Sequence, residues 1–107
     1  MKNLTLKQLR YFEALARQGH FGRAADSCAI SQPALSMQIK DLEESFGAAL
    51  FERGPRQVRL TSFGEEIALR VRNILRATEE LGRLARATRG RLAGRLGIGI
   101  IPTIAPY

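Results

Sequence analysis

Residues 21–46 read FGRAADSCAISQPALSMQIKDLEESF, and their spacing predicts two short helices joined by a tight connection, the outline of a helix-turn-helix. Leu35, Ile39, Leu42 and Phe46 recur in steps of four, three and four, so at about 100° per residue they share one stripe that packs inward. Pro33, Met37 and Lys40 face away from that stripe. Gln32 and Ser36 flank the outward face near the helix start, where a recognition helix presents side chains to base edges in the major groove. Ser31 is a suitable N-cap, and Pro33 falls in the first turn, where its missing N–H costs nothing. The preceding helix, residues 21–28, turns Phe21, Ala24, Ala25 and Cys28 to one side, and its alanines are small enough for a close helix crossing. A helical hairpin with no nucleic-acid role needs the same apolar stripes. DNA contact is favoured because the outward face of the second helix is neither acidic nor hydrophobic at its N-terminal end. Its expected contact residues are Ser31, Gln32, Pro33, Ser36, Met37 and Lys40.

Outward from this pair, residues 50–61 read LFERGPRQVRLT. Gly54 and Pro55 separate two short segments, and Val58 and Leu60 alternate with Arg59 and Thr61, as in a half-buried hairpin. Such a hairpin beside a recognition helix is a wing. Arg53, Arg56 and Arg59 lie on or near its tip, where arginine suits phosphates or a narrow minor groove. A solvated basic loop is the plainer alternative.

Residues 5–18 form a first helix with Leu6, Leu9, Phe12, Leu15 and Ala16 inward and Gly19 at its end. After the hairpin, Thr61 or Ser62 opens another helix, and Ser62 with Glu65 has capping-box spacing. It is expected to run to about Arg89, before Gly90. About 28 residues at 1.5 Å each span on the order of 40 Å, too long for so small a domain, so most of this helix should project. Ile67, Val71, Ile74, Thr78, Leu81 and Ala85 alternate steps of four and three, the repeat of a helix that pairs with another, and they predict a dimerisation seam. Cover by the chain's own first helix explains the N-terminal half of the seam but not Leu81 and Ala85. Beyond Gly90, glycines recur at 94, 97 and 99, and Leu96, Ile98 and Ile100 alternate, as in a hinge followed by a buried strand. A lone strand has nothing to pair with, so the chain is expected to be the front part of a longer protein. The predicted fold is mainly α: a winged helix-turn-helix of three helices plus a β-hairpin over residues 1–61, a dimerisation helix over 62–90, and a hinge with the first strand of a truncated effector domain over 91–107.

Charge and composition narrow the function. Lys and Arg total 17 against 10 acidic residues, a net charge of +7, and 14 of the basic residues are Arg. That balance favours a polyanionic partner, and Arg suits bidentate phosphate or guanine contact. The excess is spread along the chain, so charge alone does not locate the binding face. No run of about 18 apolar residues spans a membrane and no apolar segment precedes a cleavage site, so a cytoplasmic location is expected, without membrane association. One Cys excludes an internal disulfide, and with one His it cannot complete a four-ligand zinc site. Cys28 reads as a small buried hydrophobe, and His20 as a cap or phosphate contact. With no second candidate base, nucleophile or phosphate-binding glycine loop, neither an enzyme nor a cofactor is expected.

These stretches resemble the N-terminal region of the LysR-type transcriptional regulators. The matching residues are LKQLRYFEALARQGHFGRAAD, ISQPALSMQIKDLEESFGAALFER and the R-x-V-x-LT-x-x-G stretch from Arg56 to Gly64. Within that family, RAADSC, ISQP-x-LS and the closing IGIIPTIAPY resemble the OxyR type of peroxide-responsive activator. The resemblance implies that Gln32, Pro33 and Ser36 meet base edges and phosphates and that Arg56 enters the minor groove. Met37 stands where the wider family often has Arg, which implies an apolar contact with a thymine methyl. It also implies dimerisation through the long helix, tetramers in full-length members, and reactive cysteines in an effector domain absent from this chain, leaving Cys28 structural. Double-stranded DNA and a second copy of the chain are the expected partners. Two other readings remain at this stage: a basic helical protein-interaction module, and a non-specific architectural nucleic-acid binder.

Overall fold

A computed structural model describes residues 4–55 and 57–96, the last five of these as backbone only. Arg56 and the expected strand over 97–107 lie outside the described residues. The element order is α1 (Leu6–Gln18), α2 (Phe21–Ser27), α3 (Gln32–Phe46), β1 (Phe51–Arg53), β2 (Val58–Leu60) and α4 (Ser62–Leu96).

Each short helix begins on a side-chain acceptor, which satisfies N–H groups the helix itself cannot. Thr5 and Gln8 form a reciprocal capping box on α1. His20 Nδ1 accepts the Arg23 N–H at 3.2 Å on α2, and Ser31 Oγ accepts the Ala34 N–H at 3.2 Å on α3. Gly19 and Gly47 end α1 and α3 at φ 67° and 74°, the left-handed geometry that glycine adopts without steric cost.

The core gathers Phe12, Leu15, Leu35, Ile39, Leu42 and Leu50, all almost fully buried, with Leu9, Phe51, Ala68 and Val71. Phe12 and Phe51 pack with ring centroids 5.5 Å apart. Each such large apolar side chain contributes about 1.5–3 kcal/mol on burial. The expected inner face of α1 needs two corrections. Leu6 stays 40% exposed, while Ala14 is buried. Helix α1 touches α2, α3 and β2, so its cover reaches past a single stripe, and at Ala14 only a methyl has to fit.

The hairpin is antiparallel, with Phe51 opposite Leu60, Glu52 opposite Arg59 and Arg53 opposite Val58. The Gly54 N–H donates to Gln57 O at 3.0 Å and closes its turn, and the Val58 N–H donates to Gly19 O at 3.1 Å. The second strand is thereby tied to the end of α1.

Helix α4 opens at the expected Thr61 and Ser62 but departs from expectation in its cap and at its far end. Ser62 is its first helical residue, so the Ser62–Glu65 capping box does not form. Thr61 caps instead, its Oγ1 accepting the Gly64 N–H at 2.9 Å and donating to Ala49 O at 2.8 Å. An added Cβ at Gly64 would overlap the Leu50 carbonyl oxygen, so glycine admits α4 this close to the strand start. At the other end α4 runs through Gly90 to Leu96, past the expected stop near Arg89. A helical glycine costs about 1 kcal/mol against alanine, and the surrounding Arg, Leu and Ala are good helix formers.

The chain divides into two compact units, residues 1–75 and 76–107. Within the first unit, Val71 is buried and Ile67 half-buried against the core. The first part of the expected dimerisation seam therefore serves the chain's own core. In the second unit, Leu81 and Leu84 are 67% and 59% exposed, and Ala85 is also exposed. Leu84 lies outside the 67-71-74-78-81-85 series.

The two hydroxyls at the start of α4 give opposite expectations on removal. Thr61→Val should lower stability by about 1–2 kcal/mol in chemical denaturation, through loss of a helix cap and a second hydrogen bond. Ser62→Ala should change it by less than about 0.5 kcal/mol.

Candidate nucleic-acid interface

The turn between α2 and α3 sets the angle at which the third helix is presented. The Ile30 N–H reaches back to Ala25 O at 3.1 Å and the Ala29 N–H to Asp26 O at 3.1 Å. To close this turn Ala29 adopts φ 58°, the only positive φ at a non-glycine residue among the described residues. Chain reversal here follows from backbone geometry, and two of the carbonyls left over at the end of α2 are satisfied by it.

On α3, Leu35, Ile39 and Leu42 are sealed in the core and Phe46 is half-buried. The opposite side carries Gln32, Pro33, Met37 and Lys40, all exposed, with Ser36 half-buried. Met37, 62% exposed, is the one large apolar side chain on that side. Asp41 and Glu44 follow on the same outward side, both exposed. Two carboxylates would repel a phosphate backbone, so only the part of α3 up to Lys40 suits a polyanion groove.

The hairpin turn lies beside that end of the helix. His20, Phe21, Gly22, Gln32, Gly54, Pro55, Gln57 and Val58 line one shallow depression, so Gln32 stands next to the wing. A Cβ at Gly22 would come within 3.0 Å of His20 Cε1 and 3.8 Å of Gln32 Oε1, so glycine there leaves room for both side chains. Ser31 acts as the cap of α3, with an oxygen already engaged by Ala34. Arg59 is exposed on β2. Arg53 is held differently: its guanidinium lies 3.5 Å from Glu43 Oε1 and 5.5 Å from the centroid of the Phe21 ring.

Sequence spacing places Gln32, Pro33, Ser36, Met37 and Lys40 on one helix, and the structure brings the wing turn to Gln32 at its start. It also adds His20 and Gln57, which spacing does not pick out as neighbours of Gln32. Glu43 is the other addition: its Oε2 accepts the Leu50 N–H at 2.7 Å and the Phe51 N–H at 3.2 Å. No sequence signal marks a carboxylate that bonds backbone seven and eight residues further on. Cys28 is half-buried at the end of α2, with a free thiol. Among the described residues no helix is long and apolar enough to cross a membrane, and no group of three His, Cys, Asp or Glu could hold a metal ion.

Residues 6–65 match the family model of the bacterial regulatory helix-turn-helix protein, lysR family. The chain is 42% identical over 104 residues to the DNA-binding transcriptional dual regulator OxyR of Escherichia coli, covering 97% of this chain and 34% of that protein. It thus spans about a third of the length of the curated relatives it matches. Among solved structures, a full-length OxyR from Pseudomonas aeruginosa is 44% identical with a TM-score of 0.75, over 79% of this chain and 29% of that one. The CbnR DNA-binding domain, solved in complex with DNA, is 34% identical with a TM-score of 0.74, over 79% of this chain and 98% of that one.

The strained turn yields a test of its own. Ala29→Gly should raise stability by roughly 0.5–1 kcal/mol in thermal or chemical unfolding, because glycine relieves the left-handed penalty that alanine carries there. A loss of stability would show that alanine carries no such penalty in this turn.

Proposed function

The chain belongs to the lysR family of bacterial regulatory helix-turn-helix proteins, and on that premise we propose that it is a sequence-specific DNA-binding transcription regulator of the peroxide-responsive OxyR type. It binds a dyad-symmetric promoter site as a homodimer, in the cytoplasm and without a catalytic step. The observation that carries this reading is the asymmetry of α3. One flank is locked into the core, while Gln32, Pro33, Met37 and Lys40 are exposed on the other, with Gln32 beside the wing.

In this reading the part of α3 from Gln32 to Lys40 enters the major groove. Gln32 reads a base edge, Ser36 and Lys40 meet polar groups or phosphates, and Met37 packs on a thymine methyl. Arg59 and Arg56 carry the charge of the wing to the flanking backbone or minor groove. The dimer forms through α4 from Ile74 onward, with Thr78, Leu81 and Ala85 joined by Leu84. Among the described residues of the second unit, Leu81 and Leu84 are the large apolar side chains left most exposed, and a three-and-four repeat of this kind is buried by a second helix.

Selection of bound sites from random duplexes, followed by sequencing, tests specificity and symmetry together. Enrichment of an inverted repeat is expected. Binding without enrichment would make the chain an architectural binder, and no binding would leave a protein-interaction module. Gln32→Ala should cost about 1–3 kcal/mol on the selected site and relax preference at one base position. Arg59→Ala should weaken all duplexes alike and lower the salt slope by about one. For assembly, the pair Leu81→Asp and Leu84→Asp should halve the mass seen by light scattering, and an unchanged mass would remove α4 as the pairing element.

A further inference from the structure

Arg53 is an exposed arginine on the wing, the position from which a phosphate contact is ordinarily expected. Its surroundings point inward instead. The guanidinium lies 3.5 Å from Glu43 Oε1 and over the Phe21 ring at 5.5 Å, and it keeps 47% of its side-chain exposure. Glu43 is itself committed, since its other oxygen accepts the Leu50 and Phe51 N–H groups. Arg53 is therefore gripped by α3 through a carboxylate fixed on the backbone, and by the first residue of α2 through the ring. Charge-assisted pairing and stacking on a ring face are the two geometries that guanidinium serves better than ammonium.

The place of Glu43 on its helix gives this contact its meaning. Glu43 follows Gln32 by eleven residues, three turns at 3.6 residues each, so the two lie within about 20° on one rail of α3. The N-terminal end of that rail faces the wing turn across the depression shared by Gln32, Gly54, Pro55 and Gln57. Its C-terminal end holds the wing at Arg53. A rotation of the hairpin about its base would have to break the Arg53 contacts on one side or the bond from the Val58 N–H to Gly19 O on the other.

We infer that Arg53 is a positioning residue: bridging Glu43 and Phe21, it fixes the angle between wing and recognition helix, and so sets base preference at the flanking positions without touching DNA. This rests on the DNA-reading function proposed above and assigns one of its wing arginines a different role. Each contact is weak by itself, an exposed ion pair and an exposed cation–π pair, so the tie biases the wing angle without locking it.

Full chains carrying Arg53→Ala, Arg53→Lys or Glu43→Gln test it on the selected site and on duplexes altered only at its centre or only at its flanks. All three should lose flank preference by about threefold to tenfold, with central preference and the slope of log affinity against log salt as in the parent. Failure of lysine to rescue separates a planar, stacked contact from a simple charge. A slope lowered by about one in Arg53→Ala would identify a phosphate contact and overturn the inference. Tighter binding of Glu43→Gln to every duplex, with flank preference intact, would overturn it too, because only the removed negative charge would then have mattered. In the absence of DNA, amide exchange at Gly54 and Val58 should be about threefold faster in Arg53→Ala, and unchanged exchange would refute the tie. A parent chain that selects no site would overturn the DNA-reading function and, with it, this role in specificity, even where the exchange data uphold the tie.

Discussion

Burial of Leu35, Ile39 and Leu42 against Phe12, Leu15 and Leu50 is the constraint from which the rest follows. These six side chains exclude water from one flank of α3 and fix its rotation about its own axis. Once that rotation is set, the positions of Gln32, Pro33, Met37 and Lys40 are consequences of a 3.6-residue repeat. A slip of one residue would swing the outward side by about 100° and turn polar side chains toward the core. The apolar flank thus does the aiming, although no residue of it is expected to touch a ligand.

The same core sets limits on α4. Ala68 and Val71 are buried and Ile67, Leu75 and Phe63 pack against the cluster, so the first turns of α4 are bound to the chain's own fold. From Arg76 onward the helix belongs to the second unit, where Leu81 and Leu84 are exposed. One continuous helix therefore changes its use along its length, from completing a core to presenting an apolar stripe. A regular repeat carries no mark of that change, because the side chains are alike on both sides of it.

Polar contacts secure what the apolar core leaves loose. Glu43 receives the N–H groups of Leu50 and Phe51, Thr61 links Ala49 to the start of α4, and Val58 is tied to Gly19. Two three-residue strands have little stability of their own. These bonds hold the hairpin against the helices and leave its turn beside Gln32. An extended segment with several basic residues becomes a wing of defined direction only through them.

The three-helix order, the cap at Ser31, the glycine that ends α1, the inward stripe of α3 and the hairpin between residues 50 and 61 were determined by the sequence alone, because each depends on local periodicity or local backbone chemistry. The outward residues of α3 were legible for the same reason. Tertiary structure decided the rest. It bonded Thr61, the cap of α4, to Ala49, drew Val71 into the core, buried Ala14 and exposed Leu6, and turned Arg53 onto Glu43 and Phe21. Each of these outcomes depends on which elements meet across the core, and spacing along a chain does not encode a neighbour supplied by another helix or strand.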